Sequence, residues 1–134
     1  MTYIDARLLN TNNIATNDKL VVGVPRFKTD ITADYHPDFL GGLAGTMAVH
    51  SESARAATNT NNSFAPSYAT VDLGARYTLN VLSHAATLRF QVINVTDTQY
   101  FSSIADGNIV GSPGANTAYS GAPRTFEASL EVDF

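Results

Sequence analysis

Apolar and polar residues alternate along the end of the chain, over residues 126–134. One set of alternate positions holds Phe126, Ala128, Leu130, Val132 and Phe134, whereas the other set holds only glutamate, serine and aspartate. A period of two residues is typical of a β-strand with one apolar and one polar face. About ten such residues are enough to cross a membrane as a tilted strand.

The same alternation predicts about six strands and no convincing helix. We expect strands over Thr2–Asn10, Arg26–Tyr35, Gly42–His50, Tyr68–Leu79, Ala86–Val95 and Phe126–Phe134. Residues 26–35 alternate most regularly in the interior of the chain, and residues 42–50 are weakest because they are rich in glycine and alanine. The pattern predicts an all-β protein, an antiparallel up-and-down meander.

The connections between these strands alternate in length. Long polar connections are expected near residues 11–25, 51–67 and 97–122, and short ones near residues 36–42 and 80–85. Transmembrane β-barrels have long extracellular loops and short periplasmic turns, whereas soluble sandwiches have short connections at both ends. The asymmetry therefore predicts a membrane barrel with the long loops outside.

Three aromatic residues agree with that orientation. If the long loops are outside, the second, fourth and sixth strands run towards the periplasm. Tyr35, Tyr77 and Phe134 then lie near the periplasmic ends of these strands, each in phase with its apolar face. Aromatic residues prefer the membrane interface, so we expect these three to belong to the lower aromatic girdle.

Composition narrows the function. The chain has 134 residues, 15% of them charged, and a net charge of −4, so it fits one domain and offers no basic surface for nucleic acid. It has no cysteine and therefore no disulfide or thiolate site. No run approaches the roughly 18 apolar residues of a membrane helix, and the N-terminus does not resemble a secretory signal.

No arrangement of residues indicates catalysis or metal binding. His36, His50 and His84 are well separated, and no Ser–His–Asp or Cys–His motif is present. We expect neither an enzyme nor a cofactor. The charged residues of the polar strand faces are expected to form ion pairs between neighbouring strands rather than a ligand path.

Several segments in order resemble a known family. They are Val24–Phe27 (Val-Pro-Arg-Phe), Tyr68–Tyr77, Leu88–Asp97 followed by Tyr100–Ser103, Gly121–Thr125 and the terminal Phe134. This set resembles the C-terminal end of TonB-dependent outer-membrane receptors, particularly those for ferric siderophores. The resemblance covers nearly the whole chain. It implies the last six or so strands of a transmembrane barrel of about 22 strands.

The resemblance also implies partners. In such receptors these strands join the rest of the barrel, outer-membrane lipid and an N-terminal plug, and import uses TonB and a ferric siderophore. The barrel-assembly machinery would recognise Phe134 in the last strand. Tyr100, Phe101 and Tyr119 lie in or beside the longest loop and are candidate ligand contacts, although packing within the loop or an outer aromatic girdle is the favoured explanation.

Residues 1–134 contain no counterpart of the family's signal peptide, TonB box, plug or early strands. We therefore expect a partial receptor barrel, whose parent lies in the Gram-negative outer membrane and which does not transport alone. Six strands leave two unpaired edges, which lipid does not tolerate. Two alternatives stay open: a small barrel or pore that oligomerises to close, and a soluble β-sandwich binding module.

Overall fold

The computed structural model describes residues 1–81, 84–105, 107 and 116–133. Its strands, numbered in chain order, are β1 Thr2–Tyr3, β2 Arg7–Leu8, β3 Lys19–Leu20, β4 Phe27–Tyr35, β5 Leu43–Glu52, β6 Arg55–Ala56, β7 Phe64–Ala65, β8 Tyr68–Val81, β9 His84–Ile93, β10 Phe101–Ala105, β11 Thr117–Ser120 and β12 Thr125–Val132. Within these ranges the helical structure is one 3₁₀ turn, Asp38–Leu40. None of the described helical structure is long and apolar enough to cross a membrane.

Six strands form one sheet in the order β1, β4, β5, β8, β9 and β12. The pairings β1–β4, β8–β9 and β9–β12 are antiparallel, which confirms the predicted all-β meander. The strand expected over Thr2–Asn10 is divided, because only Thr2–Tyr3 joins this sheet. Residues 7–8 pair instead with residues 19–20 as a separate hairpin.

The charge distribution accounts for that division. The Arg7 guanidinium lies 3.2 Å from carboxylates of both Asp5 and Asp18. Asn10 and Asp18 adopt positive φ angles of 54° and 57°, which suit a turn and interrupt an extended strand. The alternation of residues 2–10 therefore continues past the point where the backbone leaves the sheet.

The paired strands β8, β9 and β12 present one apolar and one polar face. Leu88 of β9 stands between Tyr77 of β8 and Leu130 of β12. Its neighbour Thr87 stands between Thr78 and Glu131 on the opposite face. Directly opposed residues point to the same side of a sheet, so the two-faced pattern extends across all three strands. Large side chains on the apolar face, including Leu88 and Leu130, remain exposed.

The predicted alternation of long and short connections is confirmed. Residues 4–26, 53–67 and 94–124 are the long connections, and each contains one two-stranded hairpin: β2–β3, β6–β7 and β10–β11. Residues 36–42 form a short connection, and Val81 pairs with His84 at the other short end. The sequence analysis did not predict the three hairpins, because segments of two to five residues carry too few alternating positions.

The chain divides into two compact units. The loop unit comprises Met1–Thr29, Ser51–Ala69 and Gln99–Ala122, and the strand unit comprises Asp30–His50, Thr70–Thr98 and Pro123–Phe134. In the loop unit the buried residues include Val22, Ala56, Ala65 and Arg55. In the strand unit they include Asn94.

Candidate functional site

Charged side chains on the polar face of the strand unit form ion pairs. Arg76 lies 3.1 Å from Asp34, and Arg89 lies 3.5 Å from Glu131. These pairs are partly or largely exposed to solvent, where an ion pair contributes at most about 1 kcal/mol. Arg89 and Glu131 belong to the neighbouring strands β9 and β12, as expected, whereas Arg76 and Asp34 belong to β8 and β4, which β5 separates in the sheet order.

The three histidines have separate surroundings. The ring nitrogens of His50 lie 2.8 Å from the Asp30 carboxylate and 3.4 Å from the Asp72 carboxylate. A ring nitrogen of His36 lies 3.0 Å from the Asp34 carboxylate. A ring nitrogen of His84 lies 3.0 Å from the Asp133 carbonyl oxygen. Across the described ranges, no three His, Cys, Asp or Glu side chains are grouped to hold a metal ion. The arrangement offers hydrogen-bonded polar contacts, not a coordination site.

The residues predicted for the lower aromatic girdle belong to the strand unit. Tyr35 is the last residue of β4, and its side chain is 67% exposed. Tyr77 lies on the apolar face of β8, opposite Leu88. Phe134 lies outside the described residues. The girdle and the assembly role of Phe134 therefore stay predictions.

The three candidate ligand contacts lie together in the loop unit. Tyr100 immediately precedes β10, Phe101 is the first residue of β10, and Tyr119 belongs to β11. The strands β10 and β11 pair as a hairpin in which Phe101 faces Ser120 across the strand pair. Tyr119 is 54% exposed and Phe101 is also exposed, whereas Tyr100 is half-buried. The hairpin thus presents two aromatic side chains to the surroundings.

The packing of Tyr100 differs from that of the two exposed aromatics. Its ring stacks on the Tyr68 ring, with 4.3 Å between the centroids and 23° between the planes. The Gly121 amide donates a hydrogen bond of 2.8 Å to the Tyr100 carbonyl oxygen. Tyr100 therefore packs at the base of the hairpin, and its role in ligand contact stays a prediction.

A buried ion pair lies beside this stack and was not singled out from the sequence. Arg55 is 3% exposed, and its guanidinium lies 3.0 Å from the Glu52 carboxylate and 5.8 Å from the centre of the Tyr68 ring. Residues 53–67 show no hydrophobic periodicity, so no pattern marks Arg55 as buried.

Gly121 is required by the position of the Tyr100 ring. A Cβ atom built on Gly121 would overlap that ring. We expect Gly121→Ala to push the ring off Tyr68 and to destabilise the protein by about 1–3 kcal/mol, as overpacked sites do. The measurement is the near-ultraviolet circular dichroism of the tyrosines, together with the unfolding midpoint.

Gly45→Ala is the matched control for this substitution. A Cβ atom at Gly45 would find its nearest neighbour at 3.9 Å, an ordinary contact. We expect Gly45→Ala to leave the tyrosine dichroism unchanged. An unchanged spectrum in Gly121→Ala as well would show that the Tyr68–Tyr100 stack does not depend on the missing side chain.

Comparison with known proteins covers both units. Residues 1–95 match the family described as TonB dependent receptor-like, beta-barrel. The chain is 27% identical over 133 residues to the ferrichrome receptor FcuA of Yersinia enterocolitica and 30% identical over 135 residues to the metal-pseudopaline receptor CntO of Pseudomonas aeruginosa. These matches cover 99% and 98% of the chain, but 17% of each relative.

Solved structures agree with the sequence relatives. The crystal structure of BauA, the ferric preacinetobactin receptor from Acinetobacter baumannii, matches the chain with a TM-score of 0.84 and 26% identity. The match covers 98% of this chain and 18% of the BauA chain. The ferric citrate transporter FecA shares the fold over 88% of the chain and 18% of its own, with a TM-score of 0.66 and 22% identity. The relatives are thus receptors and a transporter, and the chain belongs to the TonB-dependent receptor-like β-barrel family, of which it represents part of the barrel.

Proposed function

We propose that this chain supplies part of the barrel wall and part of the outer loops of an outer-membrane receptor for ferric siderophores. The observation that carries the proposal is the extent of the likeness to BauA, 98% of the chain, which includes the loop unit as well as the strands. BauA and FcuA are both named as receptors for iron chelates. A likeness confined to the strands would support only a barrel.

The exposed apolar face supports lipid as the first proposed partner. Leu88, Phe90, Phe126 and Leu130 belong to one face of β9 and β12 and are all about half exposed or more. Such a contiguous apolar surface is unusual on a soluble monomer and suits the outer wall of a membrane barrel. TonB-dependent receptors are outer-membrane proteins, and we assign the receptor containing this chain to that membrane.

The sheet edges support the rest of the barrel as the second proposed partner. A spanning sheet must close so that no backbone edge meets lipid. The first and last members of the sheet order, β1 and β12, each have one sheet neighbour among the described strands. We propose that the remaining barrel strands pair with them and that a plug fills the lumen. Import would then require TonB, and the last strand with Phe134 would engage the barrel-assembly machinery.

A chimeric receptor tests the proposal. The chain replaces the segment of FcuA that it matches, and the chimera is expressed in an iron-starved host that lacks its own ferrichrome receptor. We expect a heat-modifiable protein in the outer membrane and restored uptake of radioactive iron from ferrichrome. The FcuA shell with the same segment deleted is the control, and we expect it to do neither.

The outcomes separate the proposal from its alternatives. Absence of the chimera from the outer membrane would contradict the barrel assignment, and normal assembly without iron uptake would contradict the transport role. The chain expressed alone behind a signal peptide should give neither uptake nor a monodisperse monomer. A closed oligomer with pore conductance would favour the small-pore alternative. A stable monomer without detergent would favour the soluble binding module.

A further inference from the structure

Arg55 connects two long loops that are far apart in sequence. It belongs to β6 in the connection 53–67, and its guanidinium donates hydrogen bonds to the carbonyl oxygens of Phe101 and Ser102, the latter at 3.3 Å. Both carbonyls belong to the start of β10 in the connection 94–124. A buried cation therefore holds the base of the β10–β11 hairpin from outside the hairpin.

The backbone at this point departs from the regular pairing of β10 with β11. The pairing of β10 with β11 shifts register between Phe101 and Ser103, so Ser102 lies at a β-bulge, where its hydroxyl lies 3.2 and 3.3 Å from the carbonyl oxygens of Tyr119 and Ser120. A bulge leaves its extra residue outside the regular ladder and redirects the neighbouring side chains. Arg55 reaches this irregular point and donates a hydrogen bond of 3.3 Å to the Ser102 carbonyl oxygen.

Arginine suits this position better than lysine. Its planar guanidinium has five N–H donors in a fixed geometry, so it reaches two adjacent carbonyl oxygens while keeping its ion pair with Glu52. The same group lies over the Tyr68 ring, on which Tyr100 stacks. A lysine ammonium would keep the charge but would lose this forked reach.

We propose that Arg55 is a positioning residue that fixes the base of the β10–β11 hairpin and so holds Phe101 and Tyr119 ready for a bound ferric chelate. The ligand part of this inference rests on the proposed function, whereas the positioning part does not. Side chains already held in their bound geometry lose less conformational freedom when a ligand binds, so preorganisation increases affinity. The expected role is in ligand affinity, not in the later transport step.

Hydrogen exchange in the FcuA chimera, purified in detergent and without ligand, tests the positioning. We expect Arg55→Met to accelerate amide exchange in residues 101–105 and 117–120 by at least about tenfold, because a buried hydrogen bond to a charged group is lost. Arg55→Lys should have an intermediate effect. The amides of β9 and β12 should exchange as in the unsubstituted chimera.

Arg89→Met is the matched control. Arg89 is exposed and pairs with Glu131 at 3.5 Å in the strand unit, so its loss removes a cation of the same size without touching the hairpin. We expect it to leave hairpin exchange unchanged. If Arg55→Met prevents assembly, the comparison of Arg55→Lys with Arg89→Lys replaces it. Unchanged hairpin exchange in the Arg55 variant overturns the positioning role.

Ferrichrome uptake by the same variants tests the ligand part. We expect Arg55→Met to raise the ferrichrome concentration for half-maximal uptake by about tenfold and to change the maximal rate less than about twofold, since the hairpin acts in capture. A faster-exchanging hairpin with unchanged ferrichrome affinity overturns the link to the ligand. Failure of the unsubstituted chimera to take up ferrichrome overturns the proposed function instead and leaves the exchange result standing.

Discussion

Leu88→Lys is expected to destabilise the membrane-inserted protein by about 2–4 kcal/mol, whereas Thr87→Lys is expected to change its stability by less than about 1 kcal/mol. The two residues are adjacent in β9 but belong to opposite faces of the sheet. Leu88 is flanked by Tyr77 and Leu130, and Thr87 by Thr78 and Glu131. The same new charge therefore meets lipid in one variant and polar side chains in the other.

The cost at Leu88 comes from the membrane and not from lost packing. Leu88 is 49% exposed, so its removal leaves no cavity. A lysine at mid-depth on the lipid face loses its hydration, and only bending of its long side chain towards the interface reduces the penalty. At Thr87 the ammonium would lie beside Glu131 and gain a weak ion pair.

The measurement is the urea dependence of heat-modifiable folding for both variants in the FcuA chimera, reconstituted in lipid vesicles. Leu88→Gln serves as a further control, because it is polar but uncharged and should fall between the two lysine variants. Equal destabilisation by Leu88→Lys and Thr87→Lys would show that the apolar face does not face lipid. The same series in detergent micelles should give a smaller difference.

Asn94→Ala is expected to destabilise the protein by about 2–4 kcal/mol, since it combines lost buried hydrogen bonds with backbone strain. Asn94 follows β9 and is 1% exposed. Its side-chain amide donates a hydrogen bond of 3.0 Å to the Thr98 carbonyl oxygen and accepts one of 2.9 Å from the Thr98 backbone N–H. Its backbone N–H donates a hydrogen bond of 2.8 Å to a carboxylate oxygen of Asp72 in β8.

The backbone of Asn94 adds a second reason. Its φ angle of 52° is left-handed, a conformation that asparagine tolerates better than alanine. Asn94→Gly relieves that strain while removing the side-chain bonds, so it should destabilise less than alanine. Asn10→Ala changes a residue with a φ angle of 54° that is exposed, and it should show only the backbone effect, about 1 kcal/mol.

Unfolding midpoints of these variants in detergent separate the two contributions. The difference in stability between the alanine and glycine variants at position 94 measures the backbone strain. The loss of stability in the glycine variant measures the contribution of the side-chain hydrogen bonds. We expect the order Asn94→Ala, Asn94→Gly, Asn10→Ala from most to least destabilised. Equal effects of Asn94→Ala and Asn10→Ala would show that the bonds to Thr98 contribute nothing.

The strands were predictable because one physical constraint acts on every second residue. Along β8, β9 and β12 apolar and polar side chains alternate over most of each strand, and the departures in β9 are His84 and Ile93 at its ends and Ala85 beside His84. Residues 2–10 show the limit of that inference. Their alternation continues beyond Tyr3, but the salt bridges of Arg7 favour a local hairpin over the sheet.

The loop contacts were not predictable for the opposite reason. Arg55 and Phe101 are 46 residues apart, and each contact depends on a fold that must already be formed. The sequence singled out Tyr100, Phe101 and Tyr119 by type alone and could not distinguish the packed ring of Tyr100 from the two exposed rings. Gly121 was part of a recognisable segment, but only the ring above it explains why the residue is a glycine.

The alternation of apolar and polar residues in the middle of β9 also disfavours incorrect strand pairing. If β9 inserted one residue out of step with β8 and β12, Arg89 and Gln91 would turn towards lipid and Leu88 towards the lumen. The arginine alone would cost about 2–4 kcal/mol at mid-depth, a penalty of roughly 30- to 1,000-fold against the misaligned strand. A sheet with β9 out of register would therefore be less stable in the bilayer than the correctly paired sheet.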